Sequence, residues 1–371
     1  MEAVDVVVVG GGAMGSAAAW QMARRGVDVV LLERFEPGHV RGSSHGSSRI
    51  VRLSYVDPLY VDLAASAYEQ WDELQDDCGE TLLTWTGVVD HGDPATVSAL
   101  TAAILDRGHT AKQLDPREAT VRWPGLRFDG SVLFHPRGGQ AHADRTIDAL
   151  KTTAAKHGAD VRHGAAVDMI RPVADGVEVH APGETWRART VVVAAGAWTE
   201  ALIGHLVSLP RLTVTREQPA HFAALDPSTP WPSFVHHRTG AFARGGATPR
   251  GAYGLHSPDG LKVGFHAVGP IVDPEADRRG VDGRRLRELQ DYVAEWVPGA
   301  DPEQPTATPC LYTLTDNADF VIDRVGPVVV AAGFSGHGFK FTPEIGRILA
   351  DLALGTGAAP ARFGSAGWRV A

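Results

Sequence analysis

The stretch Val6-Val7-Val8-Val9-Gly10-Gly11-Gly12-Ala13-Met14-Gly15 decides the fold of this chain. Four consecutive β-branched residues are typical of a strand that is buried on both faces. The following glycines at positions 10, 12 and 15 form the pattern G-x-G-x-x-G. In this pattern the first glycine permits a tight turn, the second lets backbone approach a pyrophosphate, and the third lets the next helix lie close to the strand.

The next residues continue the same motif. Ala17 to Arg25 predicts a helix, Gly26 is placed to end it, and Val27 to Leu32 predicts a second parallel strand that leads to Glu33. A carboxylate at this strand end accepts hydrogen bonds from ribose hydroxyls and repels a 2′-phosphate, so FAD or NAD fits and NADP does not. The alternative, a glycine-rich turn in an ordinary α/β protein, does not explain why strand, helix, strand and acid occur in order.

Composition excludes several classes of protein. The chain has 371 residues, of which 44% are hydrophobic, which predicts two domains with large cores. A net charge of -9 argues against a nucleic-acid surface. With only two cysteines and no long apolar span, we expect no disulfide framework and no contact with a membrane, and the predicted location is the cytoplasm.

Signals of a nucleotide-binding fold recur late in the chain. Asp144 to His157 predicts a helix with Asp144 as its N-cap, and Asp160 to Val167 predicts a strand that continues beyond a turn. Thr190 to Ala195 predicts another buried parallel strand. At the far end, Val328 to Ala332 predicts a strand before the glycine-rich turn Gly333 to Lys340. Thr342 then serves as the N-cap of a final helix whose N-terminus would suit the negative charge of a reduced flavin.

The segments between these parts of the nucleotide-binding fold have a different pattern of predicted elements. Gly251 to Leu255 and Leu261 to His266 predict strands, and Arg284 to Trp296 predicts a helix. His236 to Pro249 predicts a polar loop, either a lid or a hairpin tip. The fold class is therefore α/β, with a Rossmann-like FAD-binding domain interleaved with a mixed-sheet α+β substrate domain. The predicted boundaries are 1–80, 145–207 and 306–371 for the first domain, and 81–144 and 208–305 for the second.

Arg49 and Arg52 are three residues apart. They could meet on one helix face, point to opposite sides of an extended segment, or form a solvated surface, and the spacing leaves these alternatives open.

Five segments together resemble the monomeric sarcosine oxidase family, which includes N-methyltryptophan oxidase and pipecolate oxidase. The segments are Gly10 to Gly15, Gly42 to Arg52, Lys262 to His266, Cys310 to Thr313 and Gly333 to Lys340. The resemblance implies covalent FAD attached to a cysteine sulfur, and oxidation of a secondary amino acid by O2 with release of H2O2. It also implies a monomer whose partners are a small amino acid and O2.

The resemblance assigns roles to particular residues. Cys310 matches the flavin-attachment cysteine, whereas Cys78 is expected to be an inert thiol. Arg52 and Lys340 match the pair that grips the substrate carboxylate, and Lys262 matches the lysine that promotes reduction of O2. His266 and Tyr253 match residues that position the substrate. Tyr312 matches an aromatic that lines the pocket, and Arg49 matches a cation beside the flavin. The expected cofactor-binding residues are Gly10, Gly12, Ala13, Met14, Gly15, Glu33, Arg34, Ser43, Ser44, His45, Arg49, Val167, Ala195, Gly196, Trp198, Cys310, Gly333, Ser335, Gly336, His337, Gly338 and Lys340. No metal ligands are expected.

Two departures from the family concern the substrate. Ser44 and Ser47 stand where sarcosine and N-methyltryptophan oxidases usually have a histidine and an aspartate, which places the chain closer to the pipecolate oxidase branch. The loop from His236 to Pro249 is longer than its counterpart. A sarcosine-like N-methyl amino acid is the expected substrate, and a larger or cyclic secondary amine, taken by an oxidase or a dehydrogenase, is the alternative. A non-catalytic FAD-binding or sensor module is the alternative of another class.

Overall fold

The structure is a computed structural model that describes residues 2–238, 251–278 and 280–365. The strands are β1 (Glu2–Val9), β2 (Val29–Leu32), β3 (Arg49–Val51), β4 (Leu83–Thr84), β5 (Val88–Gly92), β6 (Lys112–Leu114), β7 (Ser131–His135), β8 (Gly139–Ala141), β9 (Asp160–Arg162), β10 (Met169–Val173), β11 (Gly176–Ala181), β12 (Glu184–Val193), β13 (Thr213–Glu217), β14 (Ala220–Phe222), β15 (Ser233–His237), β16 (Ala252–Ser257), β17 (Gly260–Phe265), β18 (Thr306–Ala307), β19 (Cys310–Leu314), β20 (Val321–Val325) and β21 (Val328–Ala332).

The helices are α1 (Ala13–Ala23), α2 (Pro58–Cys78), α3 (Pro94–Asp106), α4 (Pro116–Arg122), α5 (Ala143–Lys156), α6 (Thr199–Ile203), α7 (Gly283–Trp296) and α8 (Thr342–Leu354). Three short 3₁₀ helices span Gly196–Trp198, Phe339–Phe341 and Ala361–Phe363. Within the described ranges, no helix is both long and apolar enough to cross a lipid bilayer.

A parallel sheet carries the first glycine-rich turn. Its parallel strands run in the order β9, β2, β1, β12 and β21, while β20 pairs with β21 and the β10–β11 hairpin pairs with β12 in antiparallel fashion. Val6 and Val8 face a core shared with α1, α2, α5 and α8, whereas Val7 and Val9 face a second core on the other side. The predicted burial of β1 on both faces is confirmed, and each buried valine contributes about 1.5–3 kcal/mol.

A second eight-stranded sheet is mixed, in the order β18, β14, β17, β16, β15, β5, β7 and β6, with β5 and β15 parallel. Phe222, Phe234 and Val263 face an apolar core that includes residues of α7. Because side chains alternate along a strand, the residues next to these in sequence point to the opposite face of the sheet. That face lines a cavity with the glycine-rich turn of the first sheet, and it carries polar residues such as Lys262 and His237. The fold class is therefore α/β with a mixed second sheet, as predicted, while the division into two domains at the stated boundaries stays a prediction.

Several local predictions are wrong. Helix α5 begins at Ala143 after His142, so Asp144 is not the N-cap; its carboxylate instead accepts a hydrogen bond from the Gly46 N–H at 2.8 Å. Thr342 is the first residue of α8 rather than its N-cap, because a 3₁₀ turn precedes the helix. Ala166 and Val167 are not in a strand.

The predicted polar loop is only partly described. His236 and His237 are the last residues of β15, so they belong to the mixed sheet rather than to a loop. Residues 239–250 lie outside the described residues, and with them most of the segment whose length distinguishes this chain.

Candidate active site

A cavity of about 1400 Å³ lies between the two glycine-rich turns and the polar face of the mixed sheet. It is lined by nearly all of the predicted site residues. Those expected at the cofactor are Gly10, Gly12, Ala13, Met14, Glu33, Arg34, Ser43, Ser44, His45, Val167, Ala195, Gly196, Trp198, Cys310, Gly333, Ser335, Gly336, His337 and Gly338. The lining residues that are expected to bind the substrate or to take part in catalysis are Arg49, Arg52, Tyr253, Lys262, His266, Tyr312 and Lys340.

Gly15 is the exception, because it does not line the cavity. A Cβ added to Gly15 would lie 1.9 Å from the Gly10 carbonyl oxygen, so this glycine lets α1 pack against the turn. Gly10 has a φ of +104°, and a Cβ there would lie 2.5 Å from the Ala194 carbonyl oxygen. The turn is therefore too tight for any side chain at either position.

One end of the cavity, here called the dinucleotide end, is formed by Gly10 to Met14 and Glu33. The Glu33 carboxylate is 5% exposed and accepts hydrogen bonds from the N–H groups of Gly11 at 2.7 Å and Phe35 at 2.9 Å. These bonds fix the carboxylate at the end of β2, where a Rossmann fold places the ribose acceptor. Gly12 is the N-cap residue of helix α1 and has no side chain to cap the first N–H groups.

The segment from Gly42 to Ser48 connects this end to the rest of the cavity. Ser44 Oγ accepts a hydrogen bond from the Ala13 N–H at 3.0 Å, and Ser43 Oγ donates one to the Leu311 carbonyl at 2.6 Å. Arg49 donates to the carbonyls of Ser43 at 2.8 Å and His45 at 2.7 Å. The Arg49 guanidinium therefore stabilises the conformation of this segment and also lines the cavity.

The second glycine-rich turn meets the cavity at Ser335 and Gly336. Ser335 has a φ of +48°, and its hydroxyl donates to the Gly333 carbonyl at 3.0 Å and accepts from the Thr315 N–H at 3.2 Å. A Cβ at Gly336 would lie 2.0 Å from the Tyr312 ring. The predicted strand, glycine turn and helix are confirmed, and the absence of a side chain at position 336 makes room for Tyr312.

The other end of the cavity, here called the cationic end, contains Arg52, Lys262 and Lys340. Lys340 is 6% exposed, and its Nζ donates to the Tyr55 hydroxyl at 2.8 Å and the His337 carbonyl at 2.7 Å. Burial, with a contribution from Arg52, lowers the pKa of Lys340 well below its ordinary value. An anion bound beside Arg52 and Lys340 would favour the charged form of this lysine.

His337 and Tyr55 orient this lysine. His337 Nε2 lies 3.0 Å from the Ala318 carbonyl, so this nitrogen carries the proton, and Nδ1 accepts from the Tyr55 hydroxyl at 3.2 Å. Burial, with Lys340 nearby, lowers the pKa of His337 well below its usual value, which keeps the imidazole neutral. Donor and acceptor are therefore assigned for every hydrogen bond from Ala318 through His337 and Tyr55 to Lys340.

Arg52 lies just beyond β3 and is 7% exposed, so the solvated-surface interpretation of the arginine pair is wrong. Its guanidinium donates to the Ser54 carbonyl and lies 3.5 Å from the carboxylate of Asp90, a fully buried residue of β5. Although burial alone would raise it, Arg52 and a hydrogen bond from His237 hold the pKa of Asp90 below its ordinary value. Arg52 is thus fixed by an internal counter-charge.

Lys262 enters the cavity from β17 and is 8% exposed. Burial, with Arg49 nearby, lowers the pKa of Lys262 to about 7. Its Nζ makes no hydrogen bond to any other residue that the structure describes, so it is available to a group in the cavity. The alternative that this side chain points outward is wrong.

His266, Tyr253 and Tyr312 form the wall beside Lys262. The rings of His266 and Tyr312 lie 5.5 Å apart, and Tyr253 and Tyr312 share a hydrogen bond. Burial, with Lys340 and Arg52 nearby, lowers the pKa of His266 to about 4. The wall is therefore uncharged at neutral pH, and the positive charges of this end belong to Arg52, Lys262 and Lys340.

The sequence did not indicate Tyr55, Asp90 or His237. Asp90 and His237 each interrupt an apolar strand, at Val88-Val89-Asp90 and Phe234-Val235-His236-His237, and a polar residue inside such a strand is the signal that could have found them. Tyr55 has no such signal, because it lies outside regular structure. Among the described residues, no group of three His, Cys, Asp or Glu side chains is placed to hold a metal ion.

The residues fit a flavin dinucleotide. The first glycine turn lets the backbone lie close to a pyrophosphate, and the Glu33 carboxylate is fixed where it can accept hydrogen bonds from a ribose. The cavity continues past the second glycine turn to Cys310 and the cationic end.

Comparison with known proteins agrees with this site. A family model described as DAO, FAD dependent oxidoreductase, matches residues 5–352. Monomeric sarcosine oxidase of Streptomyces avermitilis is 35% identical over 372 residues, covering 96% of this chain and 95% of that protein. Monomeric sarcosine oxidase of Bacillus sp. (strain B-0618) is 33% identical over 369 residues, covering 94% of this chain and 92% of that protein.

A solved structure of NikD, described as an unusual amino acid oxidase essential for nikkomycin biosynthesis, is also similar. It is 29% identical, with a TM-score of 0.86 and coverage of 98% of both chains. The chain belongs to the DAO family of FAD dependent oxidoreductases. Within this class it is a flavin-dependent amine oxidoreductase, as the resemblance implied.

Proposed function

We propose that the protein oxidises a secondary amino acid, in the first place a sarcosine-like N-methyl amino acid, to an imine that hydrolyses, and reduces O2 to H2O2. The observation that carries this proposal is the convergence of Arg52 and Lys340 in one buried pocket that Lys262 also enters. A non-catalytic FAD-binding module would have no use for that pocket.

Arg52 and Lys340 grip the substrate carboxylate. The Arg52 guanidinium is held by Asp90 and the Lys340 ammonium by Tyr55, so both donors are fixed before the substrate arrives. A carboxylate between them forms charge-assisted hydrogen bonds with two buried donors. This contact orients the carbon next to the amine nitrogen, which is the carbon to be oxidised.

FAD, when bound, supplies the two-electron chemistry that the side chains lack. His266, neutral because of its low pKa, and the two tyrosines surround the amine without adding a charge that would compete with the carboxylate for orientation. Lys262 supplies a positive charge to the cavity from β17. In its ammonium form it stabilises the negative charge that develops on O2 as the first electron arrives.

Cys310 holds FAD covalently in this proposal. It is buried at the start of β19 and lines the same cavity as the two glycine-rich turns, whereas Cys78 lies on α2 outside the cavity. We further propose that the enzyme acts as a monomer in the cytoplasm; the low cysteine content and the word monomeric in the names of its relatives support this.

An anaerobic panel of amines tests the reaction. Sarcosine, other N-methyl amino acids and pipecolate are added to the yellow holoenzyme without O2, and loss of the visible flavin absorbance is measured. We expect bleaching by an amine that carries a carboxylate and none by its decarboxylated analogue. Admission of air then restores the colour with one H2O2 per amine. Bleaching without peroxide would identify a dehydrogenase, and no bleaching with any amine would leave only FAD binding.

The covalent link has its own test. The protein is precipitated with acid and the pellet and supernatant are examined for flavin absorbance. We expect a yellow pellet for the natural chain and for Cys78→Ser, and a colourless pellet with free FAD in the supernatant for Cys310→Ser. Release of FAD from the natural chain would refute the linkage and leave the proposed oxidation intact.

A further inference from the structure

Strand β15 presents a histidine to the cavity that the proposed reaction does not use. Val235 and His237 line the cavity, while His236 points to the opposite face, where its Nδ1 lies 3.1 Å from the Tyr292 hydroxyl. This is the alternation expected of a strand in a half-buried sheet. His237 is therefore directed into the pocket by the register of the sheet.

The partner of His237 fixes which ring nitrogen carries the proton. His237 Nε2 lies 2.8 Å from Oδ1 of Asp90, the same oxygen that Arg52 approaches to 3.5 Å. Because Arg52 and the His237 hydrogen bond keep the Asp90 pKa below its ordinary value, the carboxylate is ionised and can only accept. The proton between Asp90 and His237 thus belongs to Nε2.

The other ring nitrogen of His237, Nδ1, has no partner among the described residues. Nδ1 makes no hydrogen bond within the described part of the chain, although His237 is only 3% exposed. A neutral imidazole that donates through Nε2 presents a lone pair at Nδ1. Buried polar atoms are nearly always paired, so an unpaired acceptor on a residue that lines a ligand cavity points to a ligand that pairs with it.

We propose that His237 Nδ1 accepts a hydrogen bond from the substrate's own side chain, so that the preferred substrate is a secondary amino acid whose short side chain carries a hydroxyl or N–H donor. This inference rests on the proposed function for the position of the carboxylate. Arg52 and His237 share one oxygen of Asp90, so the donor must lie within a few atoms of the carboxylate, as a β-hydroxyl does. His237 is a specificity-determining residue, and it is not needed for the oxidation.

Two isosteric substrates test this assignment. N-methyl-L-serine has a hydroxyl where N-methyl-L-2-aminobutanoate has a methyl group, and kcat/KM is measured for both at pH 8.5. We expect the natural enzyme to prefer the serine derivative about fivefold to tenfold, the effect of one hydrogen bond. In His237→Gln the amide nitrogen replaces Nε2 and keeps the bond to Asp90, but no atom replaces Nδ1, so the preference disappears.

Two further variants separate this contact from a structural role. In His237→Asn the side-chain amide lies near the position of Nδ1, and part of the preference returns. His236→Gln changes the neighbouring buried histidine of the same strand, which lies outside the cavity, and the full preference remains. Equal kcat/KM values for the two substrates in the natural enzyme, or an unchanged preference in His237→Gln, would overturn the inference.

A binding measurement keeps this test independent of oxidation. Oxidised holoenzyme is titrated with 3-hydroxypropanoate and with butanoate, which carry the same contrast without an amine, and the visible flavin spectrum reports Kd. The hydroxylated acid should bind about fivefold more tightly to the natural chain and no more tightly than butanoate to His237→Gln. If no amine is oxidised, the proposed function fails, but the ratio of these two Kd values still decides the role of His237.

Discussion

The two ends of the cavity are built in different ways. The dinucleotide end is built around the backbone of the first glycine turn and one carboxylate, which all lie within the first 33 residues, and Lys151 lies beside them. The cationic end is made of side chains that come from the residue after β3, from β17 and from the turn before α8; Arg52 is fixed by Asp90, and Lys340 is fixed by Tyr55. The first end tolerates no added atoms, whereas the second depends on the balance of buried charges.

The largest expected effect is at the dinucleotide end. Gly15→Ala places a methyl group 1.9 Å from the Gly10 carbonyl oxygen, and backbone cannot move aside without opening the turn. We expect the variant to retain less than about one tenth of the natural flavin content, since the phosphate-binding turn is lost. The measurement is the ratio of visible to ultraviolet absorbance of the purified protein.

Gly26→Ala is the matched control for this glycine. Gly26 has a positive φ, +76°, but a Cβ there meets nothing within 4 Å. This variant should lose about 1 kcal/mol of stability and keep its flavin. Full flavin content in Gly15→Ala would show that the close approach of α1 to the turn is not required.

The next effect is at Arg52. Arg52→Ala removes half of the carboxylate grip and leaves Asp90 buried without its guanidinium, so kcat/KM for amines with a carboxylate should fall about a hundredfold to a thousandfold. The free energy of unfolding should fall by about 3 kcal/mol. The oxidised flavin spectrum should change little. Steady-state kinetics and a denaturant titration measure the two losses.

A double variant separates the loss of stability caused by the unpaired Asp90 carboxylate from the loss of activity. Adding Asp90→Asn to Arg52→Ala removes the stranded carboxylate, and most of the lost stability should return while kcat/KM stays low. Equal kinetics in the natural enzyme and Arg52→Ala would remove Arg52 from the site.

A smaller effect is expected at Lys262. Because its pKa is about 7, lowered from the ordinary value, the ammonium form is present below pH 7 and is lost as the pH rises through that value. Reoxidation of the reduced enzyme by O2 should therefore slow as the pH rises through about 7. Lys262→Met should slow it about a hundredfold at low pH and abolish the pH dependence, as measured by stopped-flow absorbance.

Lys151→Met is the control for a generic loss of charge. Lys151 also lines the cavity, but at the dinucleotide end, where its side chain lies near Gly11. Reoxidation of this variant should stay fast. The same rate and pH profile in Lys262→Met as in the natural enzyme would contradict a role for Lys262 with O2.

The smallest effect is expected at Tyr55. Tyr55→Phe removes the hydroxyl that bridges Lys340 and His337, so Lys340 loses one of its two fixed acceptors. KM for a carboxylate substrate should rise about tenfold with kcat nearly unchanged, since the lysine remains but is less well oriented. Tyr68→Phe, which loses a hydroxyl bonded to the Arg137 carbonyl at 2.8 Å outside the cavity, should leave KM unchanged.

The amino-acid sequence by itself determined the dinucleotide end. A strand, three glycines at fixed spacing, a helix and an acid are consecutive, so local periodicity and backbone sterics were enough to predict them. The second glycine turn before α8 was predicted for the same reason. The helix caps were wrong at Asp144 and Thr342, because a tertiary contact to Gly46 and a preceding 3₁₀ turn shifted the helix starts.

Only the tertiary structure decided the cationic end. Strand pairing places Asp90 of β5 beside β15, and packing brings Arg52 to the same carboxylate, although these residues are far apart along the chain. Burial then sets the pKa of Lys262, which no local pattern encodes. The physical reason is that desolvation and charge pairing depend on what surrounds a side chain in space, while turns and strands depend mainly on its neighbours in sequence.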